Sequence, residues 1–293
     1  MDVWGTPEFE AELRAWIEGE VGPLTALTQD KLRPWAAVWR AETAHGAYYA
    51  KQNCPGQVFE ARLMAVLAEL APTYVVPVTA VDADRGFLLT ADQGQVFGDT
   101  ADPDDLDGWI RLVVRAMELS RLVSGDADRL VAAGASPCRV PDRVRLLVDE
   151  LLDTVGAVGL PDSLVHNDLH EHNAFDLPEG LVFFDFADAV VAHPLTGLLV
   201  PLNMMVHHLE AEPDDPRLRR VADAGLEVWS DLVPVAELRA ALPAALQLGR
   251  LGRAESWFRV APDLTGAAFD EFGTAGDEWL DRLTDPVPVR FAE

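Results

Sequence analysis

Apolar positions along the chain follow two periods, and the switch between them divides the sequence. Phe9, Leu13, Trp16 and Ile17 fall on one face of a helix over residues 8 to 19. Three strand-like runs follow, around Leu24 to Leu27, Trp35 to Glu42 and Ala47 to Gln52, separated by QDKLRP and TAHG. Those separators carry turn chemistry, so the runs predict an antiparallel meander. Pro55 and Gly56 end the third run, after which Phe59, Leu63, Val66, Leu67 and Leu70 recur at spacings of three and four and predict an amphipathic helix. YVVPVTAVD and GFLLTAD then read as two more strands.

The stretch from Gln93 to Asp107 is polar and rich in Gly and Asp, which places a hinge near Gly94. Residues 1–93 are expected to form a small β-rich lobe with one embedded helix, and residues 94–293 a mainly helical second lobe. Ile110, Val113, Val114 and Met117 mark one helix of the second lobe, and Val144, Leu147, Leu151 and Val155 mark another. Further helices are expected over 196 to 211, 216 to 231 and 234 to 252. One short β-like passage interrupts them, SLVHNDLHEHNAFDLPEGLVFFDFAD. The fold class is therefore α+β, and a chain of 293 residues is long enough for two closely joined lobes.

With 49% apolar and 25% charged residues the chain is expected to fold throughout. Lys+Arg number 23 against 49 Asp+Glu, a formal charge of −26. That balance disfavours nucleic acid and anionic lipid, whose binding needs clustered cations, and it attracts positively charged small molecules. It also fits a solvated acidic surface with no ligand at all. Two cysteines, Cys54 and Cys138, support neither a disulfide framework nor a zinc ribbon. The acidic start MDVWGTPEFE and the lack of a long apolar run match neither a signal peptide nor a membrane span, so a cytoplasmic location is expected.

The informative chemistry lies in His166-Asn-Asp168-Leu-His170-Glu-His172-Asn173, an apolar strand, and Asp185-Phe-Ala-Asp188. Asp168 and Asn173 stand five apart and Asp185 twelve further on. Phosphoryl transfer asks little covalent work of a protein. One carboxylate must orient the attacking hydroxyl and accept its proton, while a carboxamide and a second carboxylate hold magnesium against the nucleotide phosphates. Hard oxygen donors suit that ion. Two other readings exist: a zinc site of His166, His170 and His172, which leaves Asn173 and DFAD unexplained, or acids that merely cap a loop and end a strand.

The segment resembles the motif of the aminoglycoside phosphotransferase and choline kinase superfamily, relatives of the protein kinases. Its pattern is H-G-D-x-H-x-x-N followed by D-[FW]-x-[DE], against H-N-D-L-H-E-H-N and D-F-A-D here. The resemblance implies a bilobal protein-kinase-like fold. It makes Asp168 the catalytic base, Asn173 and Asp185 the magnesium ligands, His166 a brace for the loop and His170 structural support. Asn167 replaces the usual glycine, a mild change because Asn tolerates left-handed backbone. The family also demands a lysine late on the third strand to meet the nucleotide phosphates, with a helical glutamate to hold it. Lys51, one of only two lysines, fills that place. Glu60 is the better partner and Glu69 the alternative. Leu89 to Gly94 resembles the hinge that binds adenine through its backbone, which assigns Thr90, Ala91 and Asp92 to the nucleotide. No glycine-rich loop stands between the first two strands. Thr28 to Arg33 occupies that turn, where Lys31 either assists phosphate binding or is ordinary surface. Walker A, Rossmann and nucleophile-elbow motifs are absent.

The implied activity is ATP- and Mg2+-dependent phosphorylation of a hydroxyl on a small, cationic acceptor, such as an aminoglycoside-like antibiotic or amino sugar. GTP is not excluded, and the implied role is antibiotic resistance or metabolism. The alternatives are a metabolic kinase of the same fold, for glucosamine, choline, homoserine or a fructosamine, and a nucleotide-binding pseudokinase. The filled positions Asp168, Asn173 and Asp185 speak against the last. The family often continues with acids after the second motif, but here the chain reads Ala192-His193-Pro194-Leu195-Thr196-Gly197-Leu198. By analogy Asp188, together with Asp270, Glu271, Asp277 and Glu278 from the acidic tail, is assigned to acceptor binding. Trp257, Phe258 and Trp279 either line a sugar face or belong to the core.

Overall fold

A computed structural model describes residues 2–291 apart from Pro103 and Asp214. Helix α1 (Pro7–Val21) opens on Thr6, whose hydroxyl accepts the Phe9 amide, with Pro7 in the first turn. Strands β1 (Leu24–Leu32), β2 (Ala36–Thr43) and β3 (Gly46–Asn53) form the expected meander. Helix α2 (Glu60–Leu70) follows, then β4 (Val78–Asp82) and β5 (Phe87–Ala91), completing an antiparallel sheet in the order β1-β2-β3-β5-β4. β1 runs further than its sequence predicts. Its pairing continues through Lys31↔Val38 and Leu32↔Ala37 after an irregularity at Gln29, so QDKLRP is mostly strand and the turn shrinks to the residues around Pro34.

Strand alternation sorts the two faces of this sheet. Trp39, Ala50 and Leu89 are cross-strand neighbours, and with Phe87 they bury against Phe9, Leu13 and Ile17 of α1. The next register row, Val38, Lys51 and Leu88, faces the opposite way and lines a large cleft. Period two alone therefore turns the single strand lysine toward that cleft. Tyr74 to Val76, expected as strand, instead crosses to the helical part, where Val76 N–H donates to Phe183 and Phe183 N–H donates to Tyr74.

The helical part comprises α3 (Phe97–Thr100), α4 (Leu106–Leu122), α5 (Ala127–Ala132) and α6 (Arg145–Gly156). Four short strands come next, β6 (Ser163–Val165), β7 (Ala174–Leu177), β8 (Gly180–Phe183) and β9 (Val190–Ala192), with β7 paired to β8 and β6 to β9. Helices α7 (Leu199–His208), α8 (Pro216–Glu227), α9 (Val235–Val260), α10 (Ala267–Phe272) and α11 (Ala275–Asp281) complete it. A single core joins α2 to this part through Leu63, Met64 and Leu67, and continues through α4 and α7 to α9. Helix α9 outruns its expected end at residue 252 by two turns. Gly252 is a packing glycine and not a terminator: a Cβ there would lie 2.8 Å from the Asn167 side-chain oxygen. Among the described residues no helix is long and apolar enough to cross a membrane.

Candidate active site

The cleft between the sheet and the helical part is built around Lys51. Its Nζ lies 2.7 Å from Glu60 Oε2 and 2.6 Å from Asp185 Oδ1. Glu60, in the first turn of α2, is only 1% exposed, and the same oxygen accepts Asn53 Nδ2 at 2.6 Å. Burial lowers the Lys51 pKa, but Asp185 and Glu60 outweigh it and hold the ammonium above its ordinary range. Glu69, the alternative partner, points to the surface and pairs with Arg129. Breaking a buried pair of this kind from one side costs about 3–5 kcal/mol, because a charge is left behind.

The other wall is the loop after β6. His166 is buried, which lowers its pKa, so its neutral ring donates through Nε2 to the Phe184 carbonyl at 2.9 Å and packs on Phe186. Asn167 adopts φ +65°, the left-handed conformation that its glycine-like position demands. Its amide nitrogen donates to the Asp188 carbonyl at 3.1 Å and to Ser256 Oγ at 2.8 Å. Asn173 Nδ2 donates to the Asp168 carbonyl at 2.9 Å, which leaves its amide oxygen for the cleft it lines. Asp185, just beyond β8, is also left-handed, at φ +64°. Asp185 lines the cleft and Asn167 directly precedes Asp168, which also lines it, so both left-handed residues mark places where position outranks backbone comfort.

Asp168 holds its charge firmly. Burial raises its pKa, but the His170 imidazole, 3.7 Å from Oδ2, and the Arg253 guanidinium, 3.1 Å from Oδ1, bring it well below the usual carboxylate range. His170 gains in return: burial lowers its pKa, yet the Asp168 carboxylate raises it above the ordinary value. Asp185 is likewise pushed up by burial and pulled down further by Lys51. Asp188 goes the other way, since burial outweighs Arg253. Its Oδ1 accepts Gln57 Nε2 at 3.0 Å.

Two connected cavities share Lys51, Asp168 and Asp185. The larger, about 540 Å3, has Thr90 and Ala91 on its rim and an apolar slot of Val38, Met64, Leu88 and Phe184. Asp92 does not line it; its carboxylate accepts the Gly94 amide and faces Arg40. The smaller, about 150 Å3, is bounded by Asp188, Gln57, Arg253, Trp35 and Trp257, the two indoles meeting edge-on at 5.4 Å. Asp270, Glu271, Asp277 and Glu278 line neither cavity. All four are exposed, with Asp277 paired to Arg143 and Glu278 accepting the Thr274 hydroxyl. Trp279 lies under the Arg253 and Arg282 guanidinium groups, and Phe258 packs over Gly276.

Sequence reasoning missed the α9 contribution. Arg253 Nη1 reaches the Asn167 carbonyl at 2.7 Å, Ser256 Oγ the Asp188 carbonyl at 3.0 Å, and Arg259 Nη1 the Ala189 carbonyl at 3.0 Å. A signal existed: these polar residues repeat every third position along an otherwise buried helix. Lys31 and Arg33 also face the cleft, and in this acidic chain neither has a side-chain partner among the described residues.

No protein-family model matches this sequence, and no curated protein sequence matches it either. Solved structures do match. An ethanolamine kinase of Plasmodium vivax superposes with a TM-score of 0.67 at 10% identity, over 96% of this chain and 90% of its own. Choline kinase LicA of Streptococcus pneumoniae gives 0.60 at 13%, over 94% and 99%. The amicoumacin kinase hAmiN, captured with AMP-PNP, Ca2+ and Ami, gives 0.56 at 14%, over 97% and 98%. The chain has the fold of the aminoglycoside phosphotransferase and choline kinase superfamily. In this kinase-like fold the cleft lies between the five-stranded sheet and the helices, with Lys51 on one side and the His166–Asp188 segment on the other.

Proposed function

We propose that this protein transfers the γ-phosphoryl group of a nucleoside triphosphate, ATP in the first place, to a hydroxyl of a small molecule. The observation that carries the proposal is the convergence of Lys51, Asp168, Asn173 and Asp185 on one cleft. The apolar slot of Val38, Met64, Leu88 and Phe184 suits a purine, with the Thr90–Ala91 backbone along its edge. Lys51, Lys31 and Arg33 supply positive charge where the phosphates would lie, two of them from a hairpin that lacks the glycines other kinases use.

The donors fit a hard divalent cation: one carboxylate on Asp185 and one free amide oxygen on Asn173. Mg2+ held there would neutralise phosphate charge as the bond to the leaving oxygen breaks. Asp168 accepts a hydrogen bond from the acceptor hydroxyl and aims its oxygen at the γ-phosphorus. Its strongly lowered pKa makes it a poor base early in the reaction. The proton therefore moves late, after the new P–O bond has formed, as a loose transition state allows. The acceptor fits the smaller cavity, where Trp35 and Trp257 offer a flat apolar wall and Asp188 with Gln57 offers hydrogen bonds. Arg33 and Arg253 on that side weaken the case for a polycation and favour a neutral or aromatic hydroxy compound, within antibiotic modification or metabolism alike.

The test is turnover of Mg-ATP against a panel of hydroxylated acceptors, including amino sugars, choline and macrolides. Acceptor-dependent release of ADP with a phosphorylated product is expected from the native chain and not from Asp168→Asn. Tight nucleotide binding with no phosphorylated product from any acceptor would favour the pseudokinase reading.

A further inference from the structure

The turn between Asp168 and Asn173 carries three metal-donor side chains in succession, His170, Glu171 and His172. One ligand atom from each lies within 4.8 Å of those of the other two, and among the described residues no other three histidines, cysteines or acids converge so closely. Glu171 Oε1 is 3.2 Å from His172 Nδ1. Glu171 is only 9% exposed, and its Oε2 is buried without a hydrogen-bond partner. Both imidazoles line the larger cavity, so the cluster is reached from the cleft. The histidine trio weighed from sequence changes in one member: His166 is taken by the Phe184 carbonyl, and Glu171 stands in its place.

Hydrogen bonding alone serves Glu171 badly. Its Oε1 has His172 and, also at 3.2 Å, Nε2 of His208 at the end of α7, while Oε2 has nothing, and a bare buried acceptor is costly. Two imidazole nitrogens and a carboxylate are the donor set of an open zinc site, with a fourth position left for water. Tetrahedral bonds of about 2.0–2.1 Å give ligand-to-ligand edges of about 3.3 Å. The His172–Glu171 edge already has that length, and a rotation of the His170 ring closes the others. The bond that His170 Nδ1 gives up in return is a long one, 3.2 Å from the His172 amide. The outer partners suit the same ion. Asp168 Oδ2, 3.7 Å from His170 Nε2, is placed to orient a ligating imidazole, and His208 to orient a ligating carboxylate. Mixed nitrogen and oxygen donors select zinc-like ions over magnesium, which the oxygens of Asn173 and Asp185 suit better.

We propose that His170, Glu171 and His172 form a zinc site on the wall of the nucleotide cleft, distinct from the metal that accompanies the nucleotide. Neither the assignment nor its test depends on phosphoryl transfer. The full chain, freed of metal with a chelator, is titrated with Zn2+ in competition with a chromophoric chelator, and with Co2+ for its visible absorption. The native chain is expected to take up one Zn2+ tightly, give the intense bands of four-coordinate Co2+, and melt higher when loaded. Excess Mg2+ should displace neither ion. Glu171→Gln and His170→Asn should each weaken uptake by about tenfold or more, whereas Asp185→Asn should leave it unchanged. His172→Asn, at a half-exposed ring, provides the same comparison should either variant fail to fold. No uptake by the native chain, equal uptake by the three ligand variants, displacement by Mg2+, or uptake abolished by Asp185→Asn would overturn the proposal.

Discussion

The loop and strand from His166 to Asp188 and the tail carrying α10 and α11 are both rich in acids, yet they differ in almost every physical respect. In the first, Asp168, Asp185 and Asp188 are at least partly buried, each is met by a named cation or amide, and their pKa values move in different directions. In the second, Asp270, Glu271, Asp277 and Glu278 stand in solvent, with a surface arginine and a threonine as the partners of two of them. Counting charge makes the two regions equivalent. Asking what each carboxylate touches separates a site from a solvated face.

The sharpest way to break that comparison is to remove the carboxylate proposed to aim the acceptor. Asp168→Asn should lower kcat by about 100- to 10,000-fold, the usual contribution of a positioned proton acceptor, while nucleotide binding measured by calorimetry stays near native. Loss of nucleotide binding with an unchanged kcat would move Asp168 out of the proton path. Next in size is Lys51→Met, which strands Glu60 in the core. Unfolding by urea should show a loss of about 3–5 kcal/mol, and adding Glu60→Gln should restore part of it. A double variant no more stable than Lys51→Met would mean the pair contributes little.

Much of this was legible beforehand because the relevant residues are local in sequence. The motif sets Asp168, Asn173 and Asp185 on the two sides of one short hairpin, and strand alternation sets the direction of Lys51. Arg253 and Ser256 were not legible as site residues, whereas Trp257 was open between a sugar face and the core and lines the smaller cavity. Arg253 and Ser256 lie on α9, more than sixty positions from the loop they hold, and no local period says which distant loop a buried helix will touch. Gly252 shows the same limit in reverse. Its role follows from the approach of Asn167, a contact absent from any window of neighbouring residues. The tail acids were assigned by analogy of position, and position in the chain did not bring them to the cleft.

Gly252→Ala tests how tightly α9 sets that loop. The added methyl must displace the Asn167 side chain, which binds Asp188 and Ser256, and overpacking of this kind costs about 1–3 kcal/mol. Thermal melting should register the loss, and kcat should fall with it because Asn167 precedes Asp168. A variant as stable and active as the native chain would show that the loop is not braced from α9. A subtler probe is the titration of His170. Its pKa is raised above 6.5, chiefly by Asp168 acting against burial. The stabilisation from that pair is therefore complete below about pH 6.5 and fades as pH rises through the higher folded value. NMR of the ring should place its midpoint above 6.5 in the native chain and lower in Asp168→Asn. An unshifted midpoint would detach His170 from that carboxylate.

The smallest effect is expected where the charge is densest. Neutralising Asp270, Glu271, Asp277 and Glu278 together removes four formal charges from a chain at −26, yet none of them lines either cavity. Charges beyond a Debye length, about 8 Å in physiological salt, act on a ligand mainly through long-range attraction. At that ionic strength kcat should be unchanged and the acceptor KM should move by less than about threefold, with stability altered by about 0.5 kcal/mol or less for each isolated site. At low salt, a cationic acceptor would show a larger rise in KM and a neutral acceptor none, so the same variant also reports the acceptor's charge. A tenfold or greater rise in KM that persists in high salt would instead require direct contact between these acids and the acceptor, and would place the acceptor against α10 and α11 in place of the pocket beside Trp35 and Trp257.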